Sequence, residues 1–375
     1  MATDKDISQT LYFVYLGTVL PTYAKASLIL AKKHSGMAVH LIGNKVIGET
    51  LGSSLCEFTA VEDFYTGDGF NIAKSNIKSD ARYRGGFWVK TLERFFVLYE
   101  FAKFRGLRSI FHAELDQLLF GTDELVKNIE QHNLSGIFVP FHSPELAVAS
   151  VFYCNHLDAL SSLLLEAMSG EAYGNEMALI AQWASKNRNL AVSLPTAASL
   201  LKNTNVATPQ GVHELTPKDL GGIVDAAQLG MWVAGIDPKN VPLTELPRTK
   251  FVNEPVAHLL SKSELESIKF TMSKNTETLL TACSNNQSIR IFNLHIHAKI
   301  HQSISSGQLQ LDCLFKQTNE DKRRILKASL RPWLWHHAKH YTYALFTKPH
   351  KIIPVLGRIS NNFWRKTVNK GWLRR

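Results

Sequence analysis

An alternation of short apolar runs with segments of helical period constrains this chain more than any other feature. LYFVYLG at residues 11–17 is a β-rich run. TVLPTYAKASLILAKKH follows, its apolar residues returning at helical spacing until His34 and Gly36, and AVHLIGN at 38–44 is a second buried-type strand that ends in turn residues. SLCEFTAVEDF is a third apolar piece. The polar stretch from Thr66 to Asp80, rich in Gly, Asn, Asp and Ser, predicts a loop able to cover a site. Gly86 to Arg105 predicts an amphipathic helix with Trp88, Leu92, Phe95, Tyr99 and Ala102 on one face, leading into RSIFHAELDQLLFG, a strand that ends in acids. Strands alternating with helices imply right-handed crossovers and an open, mostly parallel sheet flanked by helices, with ligands beyond the carboxyl ends of the strands.

The rest of the chain continues in the same style. SGIFVPFHS and ELAVASVFYCN are strand-like, HLDALSSLLLEAMSG and NEMALIAQWASKN helical, and IRIFNLHIHAKIH predicts one more strand. With 375 residues, 45% hydrophobic and 20% charged, the chain has the composition of a globular protein, and disordered, collagen-like and disulfide-scaffold classes are excluded. No apolar run is long enough to cross a bilayer, and MATDKDISQT lacks the blocks of a signal peptide, so the expected location is the cytoplasm. Cys56, Cys154, Cys283 and Cys313 stand far apart, which suits reduced thiols and no metal. GxGxxG and GxxxxGK[ST] are absent, which argues against a dinucleotide dehydrogenase and a P-loop NTPase.

Three clusters could carry chemistry. Glu114 and Asp116 lie two apart at a strand end, where both can reach one hard divalent cation that bridges the phosphates of a nucleotide; a solvated strand end is the plainer alternative. His295, His297, Lys299 and His301 would share one face of a strand, a polar row that a buried core does not tolerate without partners. An imidazole there could complete a metal shell, and Lys299 could pair with phosphate oxygens. Asp225, in the apolar and glycine-bearing GGIVDAAQLG, is a candidate base for an acceptor hydroxyl or a cap for the helix that follows; Glu176 is a second candidate or a first-turn acid. Thr18 after the first strand, with Arg84, Lys90 and Arg94 before the acids, completes a candidate donor site.

Glu114-Leu115-Asp116 at the end of a central strand, after about a hundred residues of β-α-β, resembles the Asp-x-Asp motif of glycosyltransferases of the GT-A fold, with Glu in the first place. The resemblance spans roughly residues 10 to 305. It implies manganese or magnesium and a nucleoside-diphosphate sugar as donor. Asp116 would hold the metal, with His297 or His295 as a further ligand, Lys299 would hold the diphosphate, and Glu114 would touch the metal or the ribose. The corresponding organisation is a GT-A-like catalytic domain over 1–310, with a nucleotide-binding half at 1–150 and an acceptor half at 151–310, then a basic aromatic helical tail at 311–375.

That tail carries the charge. From residue 321 onward the net charge is +13, whereas the preceding 320 residues carry −3. Trp333, Trp335, Arg365, Lys366 and Trp372 belong to a segment suited to an anionic membrane surface. The expectation is a peripheral enzyme on the inner face of the membrane that glycosylates a hydroxyl of a lipid-linked or cell-surface glycan, of lipopolysaccharide or capsule type, with no nucleic acid partner. Two alternatives differ in class: a nucleic-acid-binding protein using the tail, and a sugar-phosphate nucleotidyltransferase, for which TVLPTYAK matches poorly.

Overall fold

The computed structural model describes residues 10–52, 54–78, 86–202, 207–237, 260–272, 280–284, 287–316 and 318–329. Arg84 and residues 330–375, which hold Trp333, Trp335, Arg365, Lys366 and Trp372, lie outside them. The strands are β1 (Thr10–Tyr15), β2 (Ala38–Gly43), β3 (Glu57–Ala60), β4 (Ile110–Ala113), β5 (Gln117–Leu119), β6 (Ile137–Ser143), β7 (Leu146–Ala147), β8 (Val151–Cys154), β9 (Ala191–Leu194), β10 (His213–Glu214), β11 (Gly222–Ile223), β12 (Lys269–Met272), β13 (Leu280–Ser284), β14 (Gln287–Ile291) and β15 (Asn293–His295).

The central sheet runs β10-β9-β6-β8-β4-β1-β2-β3, with β7 added to β6. Its pairings are parallel except around β8, which runs antiparallel to both β4 and β6, and at β7. The molecule is therefore a mixed α/β protein with a mostly parallel sheet. Alternation along each strand explains why both faces are covered. Leu11 and Phe13, Phe111 and Ala113, Val151 and Tyr153 enter one core, while Tyr12, Ile110, Phe152 and Cys154 enter the other. Helices Thr22–His34 and Thr122–Glu130 cover the first face; Phe87–Arg105, Leu157–Met168 and Glu176–Lys186 cover the second.

Two smaller sheets place the C-terminal motif. β11-β14-β13-β12 forms one, and β15 pairs antiparallel with β5 to form the other. A third core joins them to the end of the described chain: Cys313, Leu314, Phe315 and Ile325 are buried with Leu118, Ile223, Trp232 and Leu294. This core holds residues on both sides of 310, and a helix covers 319–329.

Two local expectations are corrected. The polar stretch after Thr66 is helical, not a loop: Asp68–Ala73 is an α-helix followed by a 3-10 turn at Lys74–Asn76. Phe70 and Ala73, three apart, supply the buried stripe that the polar composition masked. The strand expected over IRIFNLHIHAKIH ends at His295, because the chain turns through Lys299, whose φ is +56°, into the helix His301–Ser305.

Close backbone approach fixes one junction. A Cβ on Gly230, in the helix Leu229–Ala234, would run into the backbone of His295. Gly230→Ala should lower stability by about 1–3 kcal/mol, read as a lower urea midpoint. Gly52→Ala, where a Cβ meets nothing within 4 Å, should leave the midpoint unchanged.

Candidate functional site

The acids lie where β4 ends. The Glu114 backbone N–H donates to Ser150 O at 3.0 Å, and the Gln117 N–H donates to Glu114 O at 3.2 Å, turning the chain tightly into β5. Pairing of β15 with β5 sets His295 opposite Gln117, and Ile296 N–H donates to Asp116 O at 2.8 Å. The His295 Nε2 atom consequently stands 3.1 Å from Asp116 Oδ1 and 3.3 Å from Glu114 Oε2. Ligand atoms of Glu114, Asp116 and His295 all lie within 4.8 Å of one another.

Asp225 holds this arrangement from behind. Its carboxylate is buried and accepts backbone N–H groups from Gln228 (2.7 Å), Leu229 (2.9 Å), Gly230 (2.7 Å) and His295 (2.9 Å). Asn293 links the same loop to β5: its side chain accepts from Asp225 N–H at 2.9 Å and donates to Gln117 Oε1 at 2.8 Å. A carboxylate so engaged would have to release several backbone donors to act as a base; the donors include the first residues of the helix Leu229–Ala234, whose N-cap position is Gln228. Asp225 instead aligns the strand that presents His295.

Two cations flank the acids, Arg94 buried and Lys299 half-buried. Lys299 forms an ion pair with Asp116, and its ammonium lies 4.9 Å from the centre of the Tyr23 ring. Arg94, 7% exposed, pairs with Glu114 and reaches toward Glu176, with 3.9 Å between Nη2 and Oε1. Glu176 begins the helix Glu176–Lys186, whose N-cap is already made by Asn175, accepting from Ala178 N–H at 3.0 Å. The Glu176 side chain can therefore turn inward.

Burial and charge oppose one another throughout the cluster. Burial would raise the Asp116 carboxyl, yet Lys299 and then His295 outweigh it and hold the group well below the usual carboxylate range. Burial disfavours protonated His295, and the Asp116 carboxylate overcomes it, so the imidazole is raised. Burial drives Glu176 up to about 7 against the opposing charge of Arg94. Tyr23 is pushed up to about 12 by burial, and His301 down to about 4 for the same reason.

Several expected residues converge here and others do not. Glu114, Asp116, His295, Lys299, Arg94 and Glu176 form one cluster. His297 packs against His295 with the rings tilted by 46° and their centres 4.1 Å apart, but lies outside the group able to share one ion. Thr18 is exposed in the loop after β1, and Lys90 is exposed one turn before Arg94, which points inward. The sequence offered no cue to Tyr23, which reads as a core position of its helix. Asn293 carried one: a buried amide in an apolar strand needs partners.

The donor set fits a hard divalent cation: two carboxylates and an imidazole converge on one point, with an ammonium and a guanidinium beside them for anionic oxygens. No family model matches the sequence, and no curated protein matches it. Among solved structures, the apo form of mouse xyloside xylosyltransferase 1 is similar at 12% identity and a TM-score of 0.38, over 50% of this chain and 85% of that one. The glycosyltransferase PaToxG is similar at 12% identity and a TM-score of 0.32, over 48% of this chain and 70% of that one. Likenesses of this size decide neither fold nor activity; the chemistry of the site has to.

The raised Glu176 carboxyl has a measurable signature. Because the folded state holds this proton more tightly than the unfolded chain, stability should fall as pH rises from about 4.5 to about 7, and then level off. Glu176→Gln should remove that slope and gain on the order of 2–3 kcal/mol over the parent chain above pH 7. Urea denaturation of both proteins at pH 5 and pH 8 measures the difference.

Proposed function

We propose that the chain is a metal-dependent glycosyltransferase of the GT-A type, moving a sugar from a nucleoside-diphosphate sugar to an acceptor hydroxyl. The observation that carries this reading is the convergence of Glu114, Asp116 and His295, with Lys299 alongside, beyond the carboxyl end of β4 in a mostly parallel sheet. Sheets of this kind receive nucleotides at that edge, and the acid pair resembles the motif that defines the GT-A site.

Each residue then has a task. Glu114, Asp116 and His295 would hold manganese or magnesium, which when bound supplies positive charge beside the diphosphate. Lys299 would leave Asp116 for a diphosphate oxygen, stabilising the leaving group as its charge grows. Its half-buried position makes that interaction stronger than the same pair in water. Asp225 serves the reaction by position, through the backbone of His295, and not as a base. Thr18 and Lys90, both exposed, would meet the nucleoside end of the donor.

The acceptor is proposed to be a glycan or lipid-linked hydroxyl at a membrane surface. No helix among the described residues is long and apolar enough to cross a membrane. Attachment would come from the +13 charge and the tryptophans after residue 320, each cation near an anionic surface contributing on the order of 1 kcal/mol. Trp333, Trp335, Arg365, Lys366 and Trp372 would make the contact.

Two measurements test the proposal. In a thermal-shift and donor-hydrolysis screen of nucleoside-diphosphate sugars, one donor should stabilise the protein and be hydrolysed only with manganese or magnesium. Asp116→Asn should lower that rate at least a hundredfold while remaining folded; full activity in the variant would overturn the assignment. The full chain should also sediment with anionic vesicles at low salt and be released at about 0.5 M salt. Binding to single-stranded RNA with none to vesicles would favour the nucleic-acid reading instead.

A further inference from the structure

We infer that Arg94 is a displaceable counter-ion of the cation site: it neutralises Glu114 while no divalent cation is bound and transfers to Glu176 when one takes Glu114. The inference rests on the reading of Glu114, Asp116 and His295 as a cation site. It adds what becomes of the charge already there.

One guanidinium lies between two carboxylates. Its Nη1 is engaged by Glu114, and its Nη2 is 3.9 Å from Glu176 Oε1, outside hydrogen-bond range. The present state is thus one pair made and one held in reserve. A shift of about 1 Å would complete the second pair, since charge-assisted N–H···O bonds are about 2.7–2.9 Å long. The planar fork of arginine suits such an exchange, because one end can close as the other opens.

Among the described residues, the acidic ion partners of Arg94 are Glu114 and Glu176. The arginine side chain is 9% exposed, and its guanidinium carbon sits 4.9 Å from the centre of the Phe95 ring. The other titratable neighbour, His112, binds Tyr12 O at 2.9 Å through Nδ1 and offers no negative charge. A divalent cation on Glu114 repels Arg94 at short range in a medium of low effective dielectric. Without Glu176, the displaced guanidinium would be a buried cation with no counter-ion, a state that interiors avoid. Glu176, a first-turn glutamate only 4% exposed, is held beside Arg94 with the Thr91 side chain and its own backbone N–H as further partners.

The exchange makes the two partners act with opposite signs on cation affinity. Arg94 competes with the cation for Glu114, and Glu176 draws the competitor away. Removing the first should strengthen binding, and neutralising the second should weaken it. A merely structural role for the trio would weaken binding in both variants.

Manganese alone is the probe, titrated into the full chain with free ion followed by electron paramagnetic resonance, so that neither donor nor turnover is needed. Arg94→Met should lower the manganese Kd at least fivefold. Glu176→Gln should raise it at least fivefold. Weaker or unchanged binding in folded Arg94→Met, or unchanged or tighter binding in Glu176→Gln, would overturn the exchange. If Arg94→Met does not fold, Glu176→Gln carries the test by itself. Asp116→Asn separates the two levels: it should abolish binding, and undiminished binding there would remove the cation site and the exchange together.

Discussion

Everything in the site depends on the short antiparallel pairing of β15 with β5. The acids come from the end of β4, and the imidazole and ammonium come from a segment nearly two hundred residues later; three paired residues bring them together. Such a small ladder does not hold by itself. It is stabilised from behind by Asp225, whose carboxylate gathers the backbone of one helical turn and of His295. Hydrogen bonds to a charged acceptor contribute roughly 1.5–3 kcal/mol each, enough to offset the cost of ordering a long connection, which grows only slowly with its length.

A second principle is local neutrality. Two carboxylates, a lysine, an arginine and a raised imidazole share a largely buried region, their side chains 7–19% exposed. Isolated charges there would be costly, and each is paired. Tyr23, held as a neutral phenol, lines the lysine with an aromatic face without adding charge. On the proposed reading, a divalent cation that takes Glu114 and a diphosphate that takes Lys299 would each supply a partner for a charge that the other displaces.

Much of this was legible in the sequence, for identifiable reasons. Period-2 runs such as LYFVYLG and the helical stripe ending at His34 locate β1 and its helix, and their alternation dictates a parallel sheet. Glu114 and Asp116 stood out because acids after a buried strand are conspicuous. The inserted antiparallel β8 was not legible: VFYC looks the same in either direction, and only the chain path decides. The His-x-His-x-Lys row was read as one strand, and the turn at Lys299 defeats that reading. A lysine at φ +56° has no sequence signature, since the left-handed region is expected of glycine or asparagine. Arg94 was read as a donor-site cation and Glu176 as a candidate base; that they face one another was not legible, because helical spacing gives the face but not the ion partner beneath it.

The distance in sequence between Asp116 and Lys299, 183 residues, also sets a clock. A ribosome moving at about 5–20 residues per second needs roughly 10–40 s to pass from one to the other. During that interval β1, β2, β3 and β4 can pair and bury their core, while the acid pair waits without its imidazole or its ammonium. The nascent sheet is therefore a platform before it is a site, and Arg94, the ion partner of Glu114, is already synthesised on the preceding helix.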